Sequence, residues 1–214
     1  MKSRTTLAMA LVCAGLFSST ALFANGSIEG SVVSTKKVKT KGATSQRDLV
    51  IYLEKVDGDF APPAAPAKVD QEKLNFLPHV LPILKGTTVE FGNKDSVTHN
   101  VLADDECCKM DQDMEAGESG NHKFDKLGVA AIVCRLHPEM SMFVVVLSNP
   151  YFAHIELKRE KKDGKKIYTG TYSIKDVPPG TYKLTTWNKK LKPVTQEVTV
   201  KSGEATKCDI ELSK

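Results

Sequence analysis

Seven residues, Cys134-Arg135-Leu136-His137-Pro138-Glu139-Met140, space a thiol, an imidazole and a thioether at successive intervals of three positions. The runs on either side, Ala130 to Cys134 and Met142 to Leu147, are short and apolar, so the segment reads as a turn between two strands. A turn that must present three donors in one geometry needs a rigid sheet beneath it. The rest of the chain suits that need. It is rich in Val, Ile, Thr and Tyr runs broken by Gly and Pro, and helical periodicity is nearly absent, so the expected fold class is all-β.

A further donor stands upstream at His99, within a strand-like stretch from Ser96 to Leu102. A His₂Cys set with a weak axial Met is the ligand type of blue-copper electron-transfer sites, because copper that cycles between two oxidation states needs soft and borderline ligands held in one geometry. In this reading Cys134 supplies the thiolate, His99 and His137 the equatorial nitrogens, and Met140 the long axial sulfur of one type 1 copper site. Met142 is the alternative axial residue. Pro138 has a fixed φ and no amide hydrogen, so it stiffens the loop and removes one donor near the sulfur.

Residues 1–24 carry Lys2 and Arg4, an apolar run from Leu7 to Phe17, and then small residues. This is the layout of a signal peptide, with cleavage after Ala24 or after Ala21. The run is too short to span a membrane. The expected location is periplasmic or otherwise exported, with no membrane span after signal removal. Loss of the leader lowers the formal charge from +4 to about +2, which gives no case for nucleic acid. Cys107, Cys108, Cys134 and Cys208 remain in a compartment that permits disulfides. With Cys134 on a metal, three are left and cannot all pair within the chain.

Ser27 to Val33 and Leu49 to Val56 read as strands, and the Pro-rich stretch Ala61 to Ala67 as a stiff extended connector. Asn75 to Leu84, a turn at Lys85-Gly86, and Thr87 to Asn93 follow. Beyond Pro150 come Ala153 to Arg159, a Lys-rich hairpin at Gly164, Lys166 to Ile174, Lys183 to Trp187, Thr195 to Lys201 and Thr206 to Leu212, which together suggest a small sandwich.

The segment Val69 to Leu147 resembles a cupredoxin, most of all amicyanin and the plastocyanins. The features that carry the resemblance are Lys85-Gly86-Thr87-Thr88-Val89-Glu90-Phe91, Asn93, His99-Asn100-Val101 and the Cys-x₂-His-Pro-x-Met run. Amicyanin is similar in its short loop, with two residues between the ligand His and the ligand Met. Plastocyanin and pseudoazurin space them by four, an offset that here reaches Met142. The resemblance implies a Greek-key sandwich or barrel over residues 68–149, with Asn100 tying the two ligand loops together. Val177-Pro178-Pro179-Gly180-Thr181-Tyr182-Lys183-Leu184 resembles the Pro-Gly-x-Tyr strand of carboxypeptidase regulatory-like (transthyretin-like) domains. Ile28-Glu29-Gly30-Ser31-Val32 and Val50-Ile51-Tyr52-Leu53 resemble the first strands of that module. The expected architecture is therefore a second sandwich at 150–214, with N-terminal strands 27–58 pairing to it and the copper domain inserted between them.

The stretch from Asp104 to Glu115 holds two thiols, two thioethers and six acidic side chains. It follows His99 closely and is expected near the copper end. Cys107, Cys108, Met110 and Met114 form a candidate secondary soft-metal loop, since sulfur suits Cu(I). The plainer alternative is a solvated acidic loop with a disulfide from Cys107 or Cys108 to Cys208. His79 is read as packing or rim, His122 and His154 as exposed, and Trp187 as core of the second sandwich.

No nucleophile elbow or phosphate-cradling glycine loop is present in the sequence, so an electron carrier is expected in place of an enzyme. Its partner would be a redox protein such as a cytochrome or dehydrogenase. The competing functions are copper handling through the sulfur-rich loop, as storage, chaperone or sensor, and a non-redox interaction module docking to a larger assembly or to polysaccharide.

Overall fold

The computed structural model describes residues 24–35, 40–41, 44–45 and 47–212, so the leader lies outside the described residues except for Ala24. Every element among the described residues is a strand. In chain order they are β1 (Gly26–Ser34), β2 (Thr40–Lys41), β3 (Thr44–Ser45), β4 (Asp48–Leu53), β5 (Ala67–Gln71), β6 (Phe76–Leu77), β7 (Val80–Leu84), β8 (Thr88–Asn93), β9 (His99–Asp105) and β10 (Cys108–Met114). They continue with β11 (Ser119–Lys123), β12 (Gly128–Val133), β13 (Ser141–Leu147), β14 (Phe152–Glu156), β15 (Lys158–Lys162), β16 (Lys165–Val177), β17 (Gly180–Trp187), β18 (Thr195–Val200), β19 (Ala205–Lys207) and β20 (Ile210–Leu212). The protein is all-β, as its composition predicts.

Four sheets lie in a stack. The first runs β15-β16-β1-β19, with β20 also on β1, and the second runs β14-β4-β17-β18. Ile28, Val32, Tyr172 and Ile174 of the first close on Leu49, Ile51, Leu53 and Leu184 of the second to make one core. The third sheet runs β10-β9-β12-β13-β7 and the fourth β11-β8-β5-β6. Their core is Val69, Val89 and Phe91 against Val101, Ile132, Met142 and Val144.

The second and third sheets also pack on each other. Val50, Tyr52, Phe152 and Trp187 meet Val80, Phe143, Val145 and Leu147. Strands β4 and β13 are thus buried on both faces, which is why each reads as a nearly continuous apolar run with no polar alternation. Trp187 belongs to this junction, where its ring lies 5.4 Å from Phe143, and not to the core of the second sandwich. His79 packs there too. Its Nδ1 donates to the Ser141 carbonyl at 2.8 Å, and its ring meets Phe143 edge-on. Burial holds its pKa below the ordinary imidazole value, so the ring is neutral near pH 7.

Two sequence expectations change in detail. Asn75 to Leu84 holds two strands, because Pro78 has no amide for the ladder. The stretch expected as an acidic loop is a hairpin, β9 to β10, whose register pairs Cys108 with Asp105 and Met114 with His99.

The first and last strands of the described residues meet at β1, which pairs antiparallel with β16 and parallel with β19 and β20. Between β19 and β20 the chain passes over Gly30. The Cys208 amide donates to the Glu29 carbonyl at 2.8 Å, and a Cβ on Gly30 would lie 1.8 Å from the Cys208 carbonyl oxygen. Gly30→Ala is therefore expected to lower stability by about 3 kcal/mol or more, since the clash is with backbone. A thermal melt beside wild type checks this.

Candidate metal centre

The Cys134 to Met140 turn is closed by its own backbone. Cys134 N donates to the Met140 carbonyl at 3.3 Å, and Met140 N donates to the His137 carbonyl at 3.0 Å. The inner bond makes His137-Pro138-Glu139-Met140 a β-turn with Pro at its second position, where a fixed φ is favourable. The outer bond extends the β12–β13 ladder, in which Val133 faces Ser141 and Ile132 faces Met142. Met140 consequently stands opposite Cys134, while Met142 stands two residue pairs deeper, opposite Ile132. Both side chains are fully buried.

His99 is the first residue of β9, reached through a loop that the buried Asn93 side chain organises. Asn93 Nδ2 donates to the carbonyls of Val97 and Met114 at 2.8 and 3.0 Å, and its Oδ1 accepts from the Asp95 amide at 2.9 Å. The His99 ring is fully buried and bonded on both sides. Its Nδ1 lies 3.1 Å from His137 Nδ1, and its Nε2 lies 2.8 Å from Asp95 Oδ2. Three bonds hold the Asp95 carboxyl below the usual range although burial pushes it up: the Leu74 amide, the His99 ring and the Lys73 amide. A carboxylate only accepts, so Nε2 carries the proton and Nδ1 presents a lone pair.

Cys134 Sγ is 3.7 Å from His137 Nδ1 and accepts from the Asn100 backbone amide at 3.3 Å. The donor atoms of His99, Cys134 and His137 all lie within 4.8 Å of one another, and among the described residues this is the one such group of three. Two imidazole nitrogens and a thiol sulfur facing a common point fit the soft and borderline donor set of a copper site. His137 is partly exposed, and Leu74, Val97 and Leu136 on the loops at this end are 38%, 45% and 50% exposed.

Asn100 ties the ligand loops together by a route the sequence does not announce. Its side-chain Nδ2 donates to Asp111 Oδ1 at 2.9 Å and Asp113 Oδ1 at 2.6 Å on β10. Arg135, next to Cys134, donates to the same two carboxylates at 2.6 and 3.1 Å. Bonds from Asn100 first and Arg135 second hold the Asp113 carboxyl below its ordinary pKa. The sequence assigns no individual role to Asp95, Asp111, Asp113 or Arg135, and an Asp four residues before a candidate ligand His is the one available signal.

The candidate secondary loop does not assemble. Met114 pairs with His99, whereas Cys108 pairs with Asp105 at the far end of β9, about 20 Å away by strand rise. The expectation that Cys107 and Cys108 lie near the copper end is therefore corrected. Cys108, Met110 and Met114 share the inward face of β10, and Met114 Sδ accepts from Gln71 Nε2 at 3.3 Å. The expected disulfide is also absent among the described residues, in which Cys107, Cys108, Cys134 and Cys208 are all free thiols. Cys208 sits in the other sandwich and donates to Gln196 Oε1. His122, expected to be exposed, is half-buried with its Nε2 3.4 Å from Cys108 Sγ. His154 is exposed and bonds Asp48.

Burial, with Cys107 and Asp105 nearby, pushes the Cys108 thiol up to about 11. A raised thiol pKa favours the protonated folded form, so this contribution to stability is complete below the unfolded value near 9 and is lost as pH rises towards 11. Denaturant melts between pH 8 and pH 11 should show a shallower loss of stability for Cys108→Ser than for wild type.

Residues 64–148 match the family model of copper binding proteins, plastocyanin/azurin family, and residues 166–208 match that of polysaccharide lyase family 4, domain II. Among curated protein sequences none matches the chain. Solved structures similar to part of the chain include a purple cupredoxin from Nitrosopumilus maritimus, at 28% identity and TM-score 0.34 over 37% of this chain and 98% of that one. A copper-containing nitrite reductase from Thermus scotoductus SA-01 is similar at 27% identity and TM-score 0.37, over 45% of this chain and 25% of that one. An amicyanin variant in the Cu(I) form is similar at 25% identity and TM-score 0.36, over 38% of this chain and 81% of that one.

Proposed function

We propose that residues 64–148, which belong to the plastocyanin/azurin family of copper-binding proteins, make this chain an exported one-electron carrier with a single type 1 copper site. The ligands are His99 and His137 through Nδ1, Cys134 through Sγ, and Met140 as the weak axial sulfur. The observation that carries the reading is the convergence of the His99, Cys134 and His137 donor atoms within 4.8 Å, two on one turn and one on a neighbouring strand. Copper bound there supplies a centre that accepts and releases one electron at nearly constant geometry.

Each residue has a definable task. The Asn100 amide, aimed at Cys134 Sγ, stabilises negative charge on the sulfur. The Met140 carbonyl and amide keep the turn closed, so the ligands are held by backbone bonds as well as by their own packing. Met140 is favoured over Met142 because it is the cross-strand neighbour of Cys134, whereas Met142, on the same inward face, lies opposite Ile132 and two positions further from the turn.

His137, partly exposed and flanked by Leu136, marks the route by which electrons enter and leave. A redox protein with an apolar contact surface, such as a cytochrome or dehydrogenase, is the fitting partner for this end. The signal-peptide layout of residues 1–24 supports the export part of this reading. No helix among the described residues is long and apolar enough to cross a membrane. The electron-carrier reading is supported by the His99, Cys134 and His137 donor set.

Copper-loaded protein is expected to show an intense visible thiolate-to-copper band that bleaches on reduction and disappears in Cys134→Ser. A colourless copper complex that survives this change would defeat the assignment. Met140→Leu should shift the reduction potential and alter the band. Met142→Leu should leave both in place and cost less than about 1.5 kcal/mol in a melt, as a volume-conserving core change does.

A further inference from the structure

We infer that Asp95 is a positioning residue for the metal centre, fixing the His99 tautomer and lowering the reduction potential through a carboxylate–imidazole hydrogen bond. The inference rests on the reading that His99, Cys134 and His137 hold copper.

Asp95 is built into place from three directions. Its amide is bonded to the buried Asn93 side chain. Its Oδ1 accepts from the Lys73 amide at 2.6 Å, and its Oδ2 accepts from the Leu74 amide at 2.9 Å and from His99 Nε2 at 2.8 Å. Lys73 and Leu74 both adopt left-handed φ, +53° and +58°, an uncommon conformation for side-chain-bearing residues. That turn aims two successive amides at one carboxylate. The Lys73 ammonium itself pairs with Glu72 at 2.9 Å and adds only a longer-range attraction to Asp95, whose hydrogen bonds come from the two amides.

The physical consequence follows from charge. A carboxylate accepting the distal N–H of a metal-bound imidazole gives the ring partial imidazolate character and makes the ligating nitrogen more basic. A more basic nitrogen favours Cu(II) over Cu(I), so the potential falls. The His99 ring has no solvent exposure and the Asp95 side chain is 15% exposed, so water screens the interaction little. A neutral acceptor in the same place would orient the ring without this electronic effect. Asp95→Asn makes that comparison, because it keeps size and one carbonyl oxygen while removing the charge.

The experiment uses the full chain loaded with copper and measures the midpoint potential by spectroelectrochemistry for wild type, D95N and D95E. The expected result for D95N is about a tenfold fall in the preference for Cu(II) over Cu(I), which raises the potential by about 59 mV, with the visible band retained. D95E, which restores the charge, should return the potential towards wild type. In the copper-free chain, the ring N–H proton signal of His99 should lie further downfield in wild type than in D95N. A blue D95N protein with an unchanged potential would overturn the inference and leave the copper assignment standing. A D95N protein that only melts lower, with potential and proton signal unmoved, would overturn it likewise and make Asp95 merely structural. Absence of any charge-transfer band in wild type would defeat the copper assignment itself and the inference with it.

Discussion

Strand β13 cannot lean towards water on either side, and much else follows from that constraint. Met142, Val144 and Val146 fill the core beneath the metal centre, and Phe143, Val145 and Leu147 fill the junction with the neighbouring sandwich. A strand gripped on both faces has its register fixed twice, because a slip by one residue would exchange the two apolar sets. Its first residue, Ser141, directly follows Met140 and accepts the His79 ring. The start of the strand is therefore pinned where the ligand turn ends. The three-residue spacing of Cys134, His137 and Met140 becomes a spatial cluster only because both ends of the turn belong to this one ladder.

The layers around β13 differ in what they contribute. The third sheet brings the donors and their partners: β9 brings His99, the β12–β13 turn brings Cys134, His137 and Met140, and the edge strand β10 brings the carboxylates that bind Asn100 and Arg135, while the fourth contributes Asn93 at the end of β8. The first two sheets bring no ligand. Their role at the site is indirect, through the apolar junction that covers the outward face of β13. The loops at the metal end are bound chiefly by side chains acting on backbone, with Asn93 and Asp95 serving as local scaffolds.

Much of this was legible in the sequence, and the failures have physical causes. The three-donor set could be read because spacing within a turn and the chemistry of Cys, His and Met are local properties. The all-β class could be read because β-branched and aromatic runs report a pleated, half-buried surface. Strand β10 is hard to read from sequence because Lys109, Asp111, Gln112 and Asp113 are exposed and its core-facing residues are Cys108, Met110 and Met114, so sulfur replaces the usual β-branched signal. The same substitution made core residues look like a metal loop. Asp95 escaped for another reason: its partners, Lys73 and Leu74, lie more than twenty positions away and act through backbone amides that any residue type supplies. Trp187 was misplaced because an aromatic at a strand end reads alike whether it faces its own core or a neighbour's.

The path of the chain has a thermodynamic consequence. Strand β4 ends at Leu53 and its partner β14 begins at Phe152, so joining them unaided would require closing a loop of roughly a hundred flexible residues. Once residues 67–147 are folded, the entropic part of that loop shrinks to the short segments flanking them. The inner sandwich thus acts on the outer one as a cross-link does, by limiting what the unfolded flanks can explore. Any ligand that tightens the metal-bearing sandwich adds stability to strands that never touch it.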